Sequence, residues 1–182
     1  ALAMEMRNRG TLWALDSDEG RLDEARRRAR RARVDNLRTR PIPAGPEAEA
    51  AIADLAGKAD VVLVDAPCSG LGTLRRKPDA RWRLSPEDVA RFAALQRELV
   101  ARFATLVKPG GRFVYATCAL GRAENLDVAA HVEAALGLVP APLAATLGEE
   151  RARSLGAEGH TLQLYPHRHG TDGFFTATFK KP

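Results

Sequence analysis

The sequence contains few cysteines and no long apolar run. Its only cysteines are Cys68 and Cys118, and neither belongs to a CxxC pair, which argues against a thiol redox protein. No apolar stretch approaches the length that crosses a bilayer, and the N-terminus lacks a basic segment followed by a signal-type apolar core. We therefore expect a cytoplasmic protein with no membrane partner. Its two thiols stay reduced and serve either as small core residues or in chemistry.

The chain has more positive than negative charge, with a net charge of +5 and a sequence pI of about 9.7. Many of its arginines crowd between Arg26 and Arg40. This balance favours an anionic partner, most simply a nucleic acid, although a solvated helix face explains an arginine run equally simply. His167 and His169 form an HxH pair without an evident third ligand, so we predict no metal site.

Helix-forming segments alternate with short β-rich runs, which predicts one α/β domain over residues 1–182 with a mostly parallel sheet. We read 140–159 as a flexible insertion, 66–84 as a long loop, and the tail as an antiparallel hairpin at the sheet edge, with its turn at 166–173. The predicted strands are 11–16, a weak one at 37–42, a buried one at 59–65, and 112–118. The predicted helices are 18–32, 46–56, 86–109 and 122–136, the third capped by Ser85 and ended by Gly110 and Gly111.

Acidic or reactive residues follow three predicted strands: Asp16, Asp65 and Cys118. The carboxyl ends of parallel strands lie along one edge of a sheet, where ligands bind. Asp16 either accepts hydrogen bonds from a ribose diol or caps the next helix. Cys68 follows the Asp65 strand by three residues, and its position alone does not separate a rim thiol from an inert buried one.

Cys68 and Cys118 follow neighbouring strands of a predicted strand-helix-strand unit, so both thiols can face one pocket. Two thiols and the Asp65 carboxyl group suit methylation of cytosine at carbon 5. A thiolate that adds to carbon 6 makes carbon 5 nucleophilic, an acid offsets charge at nitrogen 3, and a further group assists proton loss and release of the thiol.

Three stretches carry a resemblance to a known family: "DAPCSGLGTLRRKPDARW", "PGGRFVYATC" and "DGFFTATFKK". They resemble the Nop/Sun (Fmu-type) RNA cytosine-5 methyltransferases, over nearly the whole chain. The resemblance implies a Rossmann-like class I methyltransferase fold, S-adenosylmethionine as cofactor, and ribosomal or transfer RNA as substrate. It also implies that Cys118 is the nucleophile, that Cys68 helps to release the product, and that Asp65 contacts the cytosine. Asp16, Asp65 and Pro67 would contact the cofactor.

The same resemblance places the basic residues Arg75, Arg76 and Lys77 beside the RNA. Trp82 could stack on a base, but we expect it to pack in the core. Glu124 and Asn125 follow the Cys118 loop, as an acidic-Asn pair does in the family. We interpret them as support for a helix N-terminus, with a role in ordering the site as the alternative.

The chain departs from the family in beginning after the strand and glycine-rich loop that wrap the cofactor. The implied strand order is 3-2-1-4-5-7-6, with the first strand missing here. We therefore expect a fragment that binds S-adenosylmethionine poorly by itself and whose oligomeric state is open, because an exposed strand invites pairing. A catalytically silent RNA-binding remnant is the alternative function.

Overall fold

The computed structural model describes all 182 residues as a mixed α/β protein. The strands are β1 (Leu12–Asp16), β2 (Leu37–Pro41), β3 (Ala59–Asp65), β4 (Val107–Thr117), β5 (Val139–Pro140), β6 (Thr161–Leu164) and β7 (Phe174–Lys180). The helices are α1 (Leu2–Glu5), α2 (Glu19–Arg31), α3 (Glu47–Ile52), α4 (Pro86–Ala104), α5 (Leu126–Ala135), α6 (Ala144–Leu147), α7 (Glu149–Ser154) and α8 (Pro166–His169). Short 3-10 helices occupy Ala53–Leu55, Leu71–Thr73, Pro78–Trp82 and Arg122–Glu124.

The chain divides into two compact units, Ala1–Asp54 and Leu55–Pro182. In the first unit, β1 and β2 pair in parallel, and α2 packs on both strands through the buried Leu22. The Asp18 side chain caps α2 by accepting from the Arg21 N–H. β2 has a neighbour on one side only, which suits a strand that ends in proline.

The second unit contains a five-stranded sheet in which β3 pairs parallel to β4, and β4 pairs antiparallel to β7. The far edge of β7 pairs with β5 and then β6, so the tail forms the predicted antiparallel hairpin at the sheet edge. β1 and β2 pair as the second and third strands of the implied order do. β3, β4 and β7 pair as its fourth, fifth and seventh strands do. The predicted α/β fold class is confirmed.

Aromatic side chains from β4 and β7 form the centre of the second unit. Phe113 and Tyr115 alternate inward on β4 and meet Phe179 and Phe175 of β7, all four being fully buried. α4 packs against β3 and β4. It begins where predicted, because the Ser85 side chain and the Asp88 side chain bond each other's backbone N–H groups in a capping box.

Two predictions about the second unit are wrong, the end of one helix and the nature of one segment. The third predicted helix ends at Ala104, not at Gly110, because residues 107–111 enter β4 through a register shift between Ala59 and Val61. There the Gly110 N–H donates to the Lys181 carbonyl, and the Lys181 N–H to the Gly111 carbonyl. The predicted flexible insertion at 140–159 instead contains α6 and α7.

β3 is less buried than its apolar sequence predicts. Val62 and Val64 are buried, whereas Val61 and Leu63, which alternate with them, are 58% and 48% exposed. β3 pairs only with β4, so it is an outer strand of its sheet with one covered face. None of the helices is both long and apolar enough to span a membrane.

Candidate active site

The two cysteines meet where adjacent parallel strands end. Cys68 lies three residues past β3 and Cys118 directly follows β4, and their sulfur atoms are 3.2 Å apart. Both thiols are free and partly buried. The prediction that the strand-helix-strand unit brings the two thiols to one place is therefore met.

The hydrogen bond between the two sulfurs shifts their pKa values in opposite directions. Hydrogen bonding with Cys68 lowers the pKa of Cys118 to about 7, against burial and the negative charges of Asp65 and Glu124, which act to raise it. The pKa of Cys68 is raised, first by its hydrogen bond with Cys118 and then by burial. We therefore assign the thiolate to Cys118 and the donating thiol to Cys68.

Alkylation of the protein by iodoacetamide tests this assignment. Cys118 is expected to react about tenfold faster at pH 8 than at pH 6, because its thiolate fraction rises from near one tenth to near nine tenths across a pKa of about 7. In Cys68→Ala the donor is lost, so the midpoint moves upward toward the ordinary value of 9.0. A midpoint near 9 in the unmodified protein, read by peptide mass spectrometry, would contradict the assignment.

Asp65 ends β3 with a carboxylate that has no hydrogen-bonding or ion-pairing partner in the protein. One side of the residue is open to solvent, yet the surrounding atoms are close enough that burial raises the pKa of its carboxyl group. A carboxyl group of this kind at a strand end is available to a ligand and holds its proton more readily than usual. The neighbouring Pro67 carbonyl accepts from the Gln96 side chain at 2.8 Å, and a cofactor contact by Pro67 stays a prediction.

Asp16 ends β1 in the first unit, where one carboxylate oxygen, Oδ1, accepts from the Asp18 N–H at 2.9 Å. The other oxygen, Oδ2, faces only Arg21, at 3.8 Å. The capping alternative is excluded for α2, whose cap is Asp18. A strand-end carboxylate oxygen with only this distant guanidinium beside it has the chemistry to accept hydrogen bonds from a ribose diol.

The turn that carries Cys68 is fixed on both sides of the thiol. Before it, the Gln96 amide of α4 donates to the Pro67 carbonyl. After it, the Ser69 N–H and hydroxyl donate to the two carboxylate oxygens of Glu124, at 2.8 and 2.5 Å. Gln96 also donates to Glu124, at 3.2 Å.

The turn that carries Cys118 is fixed in the same manner. The Thr117 hydroxyl donates to Oδ1 of Asn125 at 2.6 Å and accepts from the Ala119 N–H at 3.2 Å. The Asn125 amide donates to the Ala119 carbonyl at 3.1 Å and to the Gln163 side chain at 2.9 Å. Asn125 is the N-cap residue of α5, but its side chain makes no capping hydrogen bond. The bonds of Glu124 and Asn125 fit the site-ordering alternative, and support of the helix N-terminus stays a prediction.

The turn that contains Gly70 and Gly72, after Cys68, packs closely against another part of the protein. The Gly72 N–H donates to the Cys118 carbonyl, and the Gly173 N–H donates to the Gly72 carbonyl, both at 2.8 Å. A methyl group on Gly72 would lie 2.2 Å from the Gly173 oxygen, so only glycine fits. The turn therefore ties the end of β4 to the start of β7.

The three basic residues predicted beside the RNA differ in their contacts. Arg76 is paired with Asp172, which raises the pKa of Arg76. Arg75 donates to the Gly170 carbonyl at 3.4 Å, and Lys77 is exposed without a carboxylate partner. Trp82 is 79% exposed, so the expectation that it packs in the core is wrong, and the Arg81 guanidinium lies 4.5 Å from its ring centroid.

Sequence reasoning missed Gln96, and it named Glu124 without predicting its burial or its bonds to the Cys68 turn. Gln96 lies on the apolar face of α4 with Ala93 and Val100, and a polar residue in such a stripe is the signal that could have been read. Glu124 is fully buried, which a short segment of mixed polarity does not reveal. The bonds that Gln96 and Glu124 make were not predictable, because their partners, Pro67 and Ser69, lie far away in sequence.

Comparison with known proteins agrees with this geometry. The profile of the family "16S rRNA methyltransferase RsmB/F" matches residues 1–180. The chain is 34% identical over 181 residues to the Bacillus subtilis protein named "Probable ribosomal RNA small subunit methyltransferase B". It is 40% identical over 124 residues to the ribosomal RNA small subunit methyltransferase F of Aliivibrio salmonicida. The first alignment covers 99% of this chain and 40% of the relative. The second covers 67% of this chain and 26% of the relative.

Two solved structures share the fold over nearly all of this chain. NSun6 of Pyrococcus horikoshii, solved with SFG, superimposes with a TM-score of 0.79 at 26% identity, covering 99% of this chain and 44% of its own. A methyltransferase homolog protein from the same organism gives 0.75 at 32% identity, covering 100% and 56%. The predicted resemblance is confirmed, and the chain belongs to the 16S rRNA methyltransferase RsmB/F family.

Proposed function

We propose that the chain is the catalytic part of an enzyme that methylates carbon 5 of cytosine in ribosomal RNA. The observation that carries the proposal is the thiol pair at the ends of β3 and β4, with the pKa of Cys118 near 7. A thiolate at neutral pH is what covalent attack on a pyrimidine needs. The names of the curated relatives support ribosomal RNA as the substrate class.

In the proposed reaction, Cys118 adds its sulfur to carbon 6 of cytosine and forms a C–S bond. Asp65, whose carboxyl pKa is raised by burial, donates a proton to nitrogen 3 as negative charge develops on the ring. Carbon 5 becomes nucleophilic as a result. S-adenosylmethionine, with Asp65 as a residue that would contact it, supplies an electrophilic methyl group when it is bound.

Product release reverses the addition. The proton on carbon 5 is lost to water, the C–S bond breaks with its electron pair returning to the sulfur of Cys118, and nitrogen 3 returns its proton to Asp65. The Cys68 thiol, 3.2 Å away, donates a hydrogen bond to the departing thiolate. One donor thus serves both directions, because a thiol with a lowered pKa ionises readily and also leaves readily.

The experiment for this proposal is nucleoside analysis of ribosomal RNA incubated with the full-length protein and labelled S-adenosylmethionine. We expect 5-methylcytidine in the digest, separated by chromatography from N4-methylcytidine, which has the same mass. Label on N4, or on any base other than cytosine, would contradict the proposal.

We further propose that the exposed loop after Cys68 contacts the RNA backbone through Arg75, Arg76 and Lys77, with Trp82 presented to an unpaired base. Replacing Arg75 and Lys77 together by alanine should reduce the slope of log affinity against log salt by about 0.7 per side chain for single-stranded RNA. Arg76→Ala is the matched comparison. We expect a smaller change in slope, since Asp172 already neutralises that guanidinium. Equal slopes in the double variant and the unmodified protein would exclude this loop from the RNA interface.

A further inference from the structure

Glu124 is a fully buried carboxylate that the proposed reaction does not use. Burying a carboxylate is costly unless donors surround it, and an apolar residue would fill the same space without that cost. Three donors face it here: the Ser69 N–H, the Ser69 hydroxyl and the Gln96 amide. Two of the three come from the residue next to Cys68.

The main chain of Glu124 is anchored separately from its side chain. The hydroxyl of Tyr115, a fully buried residue of β4, donates to the Glu124 carbonyl at 2.6 Å. Glu124 therefore connects the interior of β4 to the turn that follows β3. The Gln96 amide can point only one way in this network, because the opposite orientation would turn its oxygen toward two acceptors, the Pro67 carbonyl and the carboxylate.

Asn125, the next residue, does for Cys118 what Glu124 does for Cys68. Its side chain bonds Thr117 and Ala119, the residues on the two sides of Cys118. It is 1% exposed. A two-residue segment thus bonds the flanks of both thiols, and buried hydrogen-bond networks of this kind favour one arrangement.

We propose that Glu124 and Asn125 form a clamp that sets the distance between the Cys68 and Cys118 sulfurs. Glu124 and Asn125 are positioning residues, since neither contacts a sulfur through its side chain. The role of the clamp in catalysis, which is to keep the donating thiol beside the attacking one, rests on the proposed function. Its effect on the distance between the two sulfurs does not.

Closure of a disulfide between the two thiols measures their positioning without RNA or cofactor. Diamide accepts two electrons and the two thiol protons and becomes the hydrazine, while one S–S bond forms. After quenching with N-ethylmaleimide, the closed fraction is read by peptide mass spectrometry. The rate of this intramolecular step depends on how well the second sulfur is held against the first.

Glu124→Ala and Asn125→Ala are expected to slow closure by about tenfold or more. Glu124→Gln should stay within about threefold of the unmodified protein, because its amide oxygen still accepts and the Ser69 hydroxyl can accept from its amide nitrogen. Glu98→Ala, on the exposed side of α4, is the matched control and should change nothing. Closure at the unmodified rate in folded alanine variants, or Glu124→Gln as slow as Glu124→Ala, would overturn the clamp.

Glu124→Ala removes three hydrogen bonds from the interior and can prevent folding, so two gentler variants are measured beside it. Ser69→Ala removes one of the bonds to Glu124. Thr117→Val removes the bond to Asn125 and the bond from the Ala119 N–H, with nearly the same side-chain shape. Each should slow closure about threefold to tenfold with a cooperative thermal transition retained. Unchanged closure in both would overturn the clamp as well.

The clamp and the proposed function fail in different ways. If closure slows as expected but the unmodified full-length protein leaves cytosine unmethylated, the clamp stands and the proposed function falls. If methylation occurs and closure is insensitive to the variants, the reverse holds.

Discussion

Replacing Cys118 by alanine is expected to lower the rate of cytosine methylation by more than about a thousandfold, because the remaining thiol, Cys68, has a pKa raised by burial and supplies little thiolate for the C–S bond. Cys118 is only partly buried and its thiol bonds the Cys68 side chain, so folding should be little affected by its loss. The measurement is the single-turnover rate of methyl transfer to ribosomal RNA by the full-length protein.

The control for Cys118→Ala is a thermal transition and cofactor affinity close to those of the unmodified protein. A variant that is folded, binds S-adenosylmethionine and still methylates within tenfold of the original rate would rule out Cys118 as the nucleophile. Asp65 supplies a second comparison. Asp65→Asn should slow transfer less, since it removes a proton donor and leaves the nucleophile in place.

Replacing Cys68 by alanine is expected to have a different result, which is protein trapped on RNA. Without the donating thiol the pKa of Cys118 rises, and a less acidic thiol leaves more slowly from carbon 6. We expect release to slow by about 10- to 100-fold and a covalent complex with unmodified RNA to build up, visible on a denaturing gel.

Addition also becomes slower in Cys68→Ala at neutral pH, so the trapping experiment is run near pH 9, where its Cys118 is substantially ionised. Cys68→Ser is the matched variant, since a hydroxyl keeps a donor at this position and should restore part of the release rate. If Cys68→Ala forms no complex at pH 9 while Cys118 still alkylates, Cys68 has no role in release.

The meeting of the two thiols was predictable because it depends on topology. A strand, a helix and a second strand in one sheet place their ends side by side, and Cys68 and Cys118 each follow such a strand. The separation of their roles was not predictable from spacing. It depends on which sulfur keeps the proton, and this depends on burial and neighbouring charge that the sequence does not specify.

The polar support of the site was beyond sequence reasoning for another reason. Ser69 and Glu124 are 55 residues apart, and no local pattern indicates that they bond. At Gly110 and Gly111 a local signal was present but misleading, since a glycine pair after a helical pattern normally ends the helix. Here residues 107–111 join β4 because the backbone of Lys181, directly after β7, bonds both glycines. Long-range contacts determined the structure in both cases.

The most direct test of the account is to map the adduct that forms when full-length protein, S-adenosylmethionine and RNA containing 5-fluorocytosine are combined. Fluorine on carbon 5 cannot leave as a proton does, so the complex stops after methyl transfer with the C–S bond intact. Protease digestion and mass spectrometry then locate the modified peptide. We predict that the nucleotide is attached to Cys118. Attachment to Cys68, or the absence of any adduct while ordinary RNA is methylated, would contradict the account.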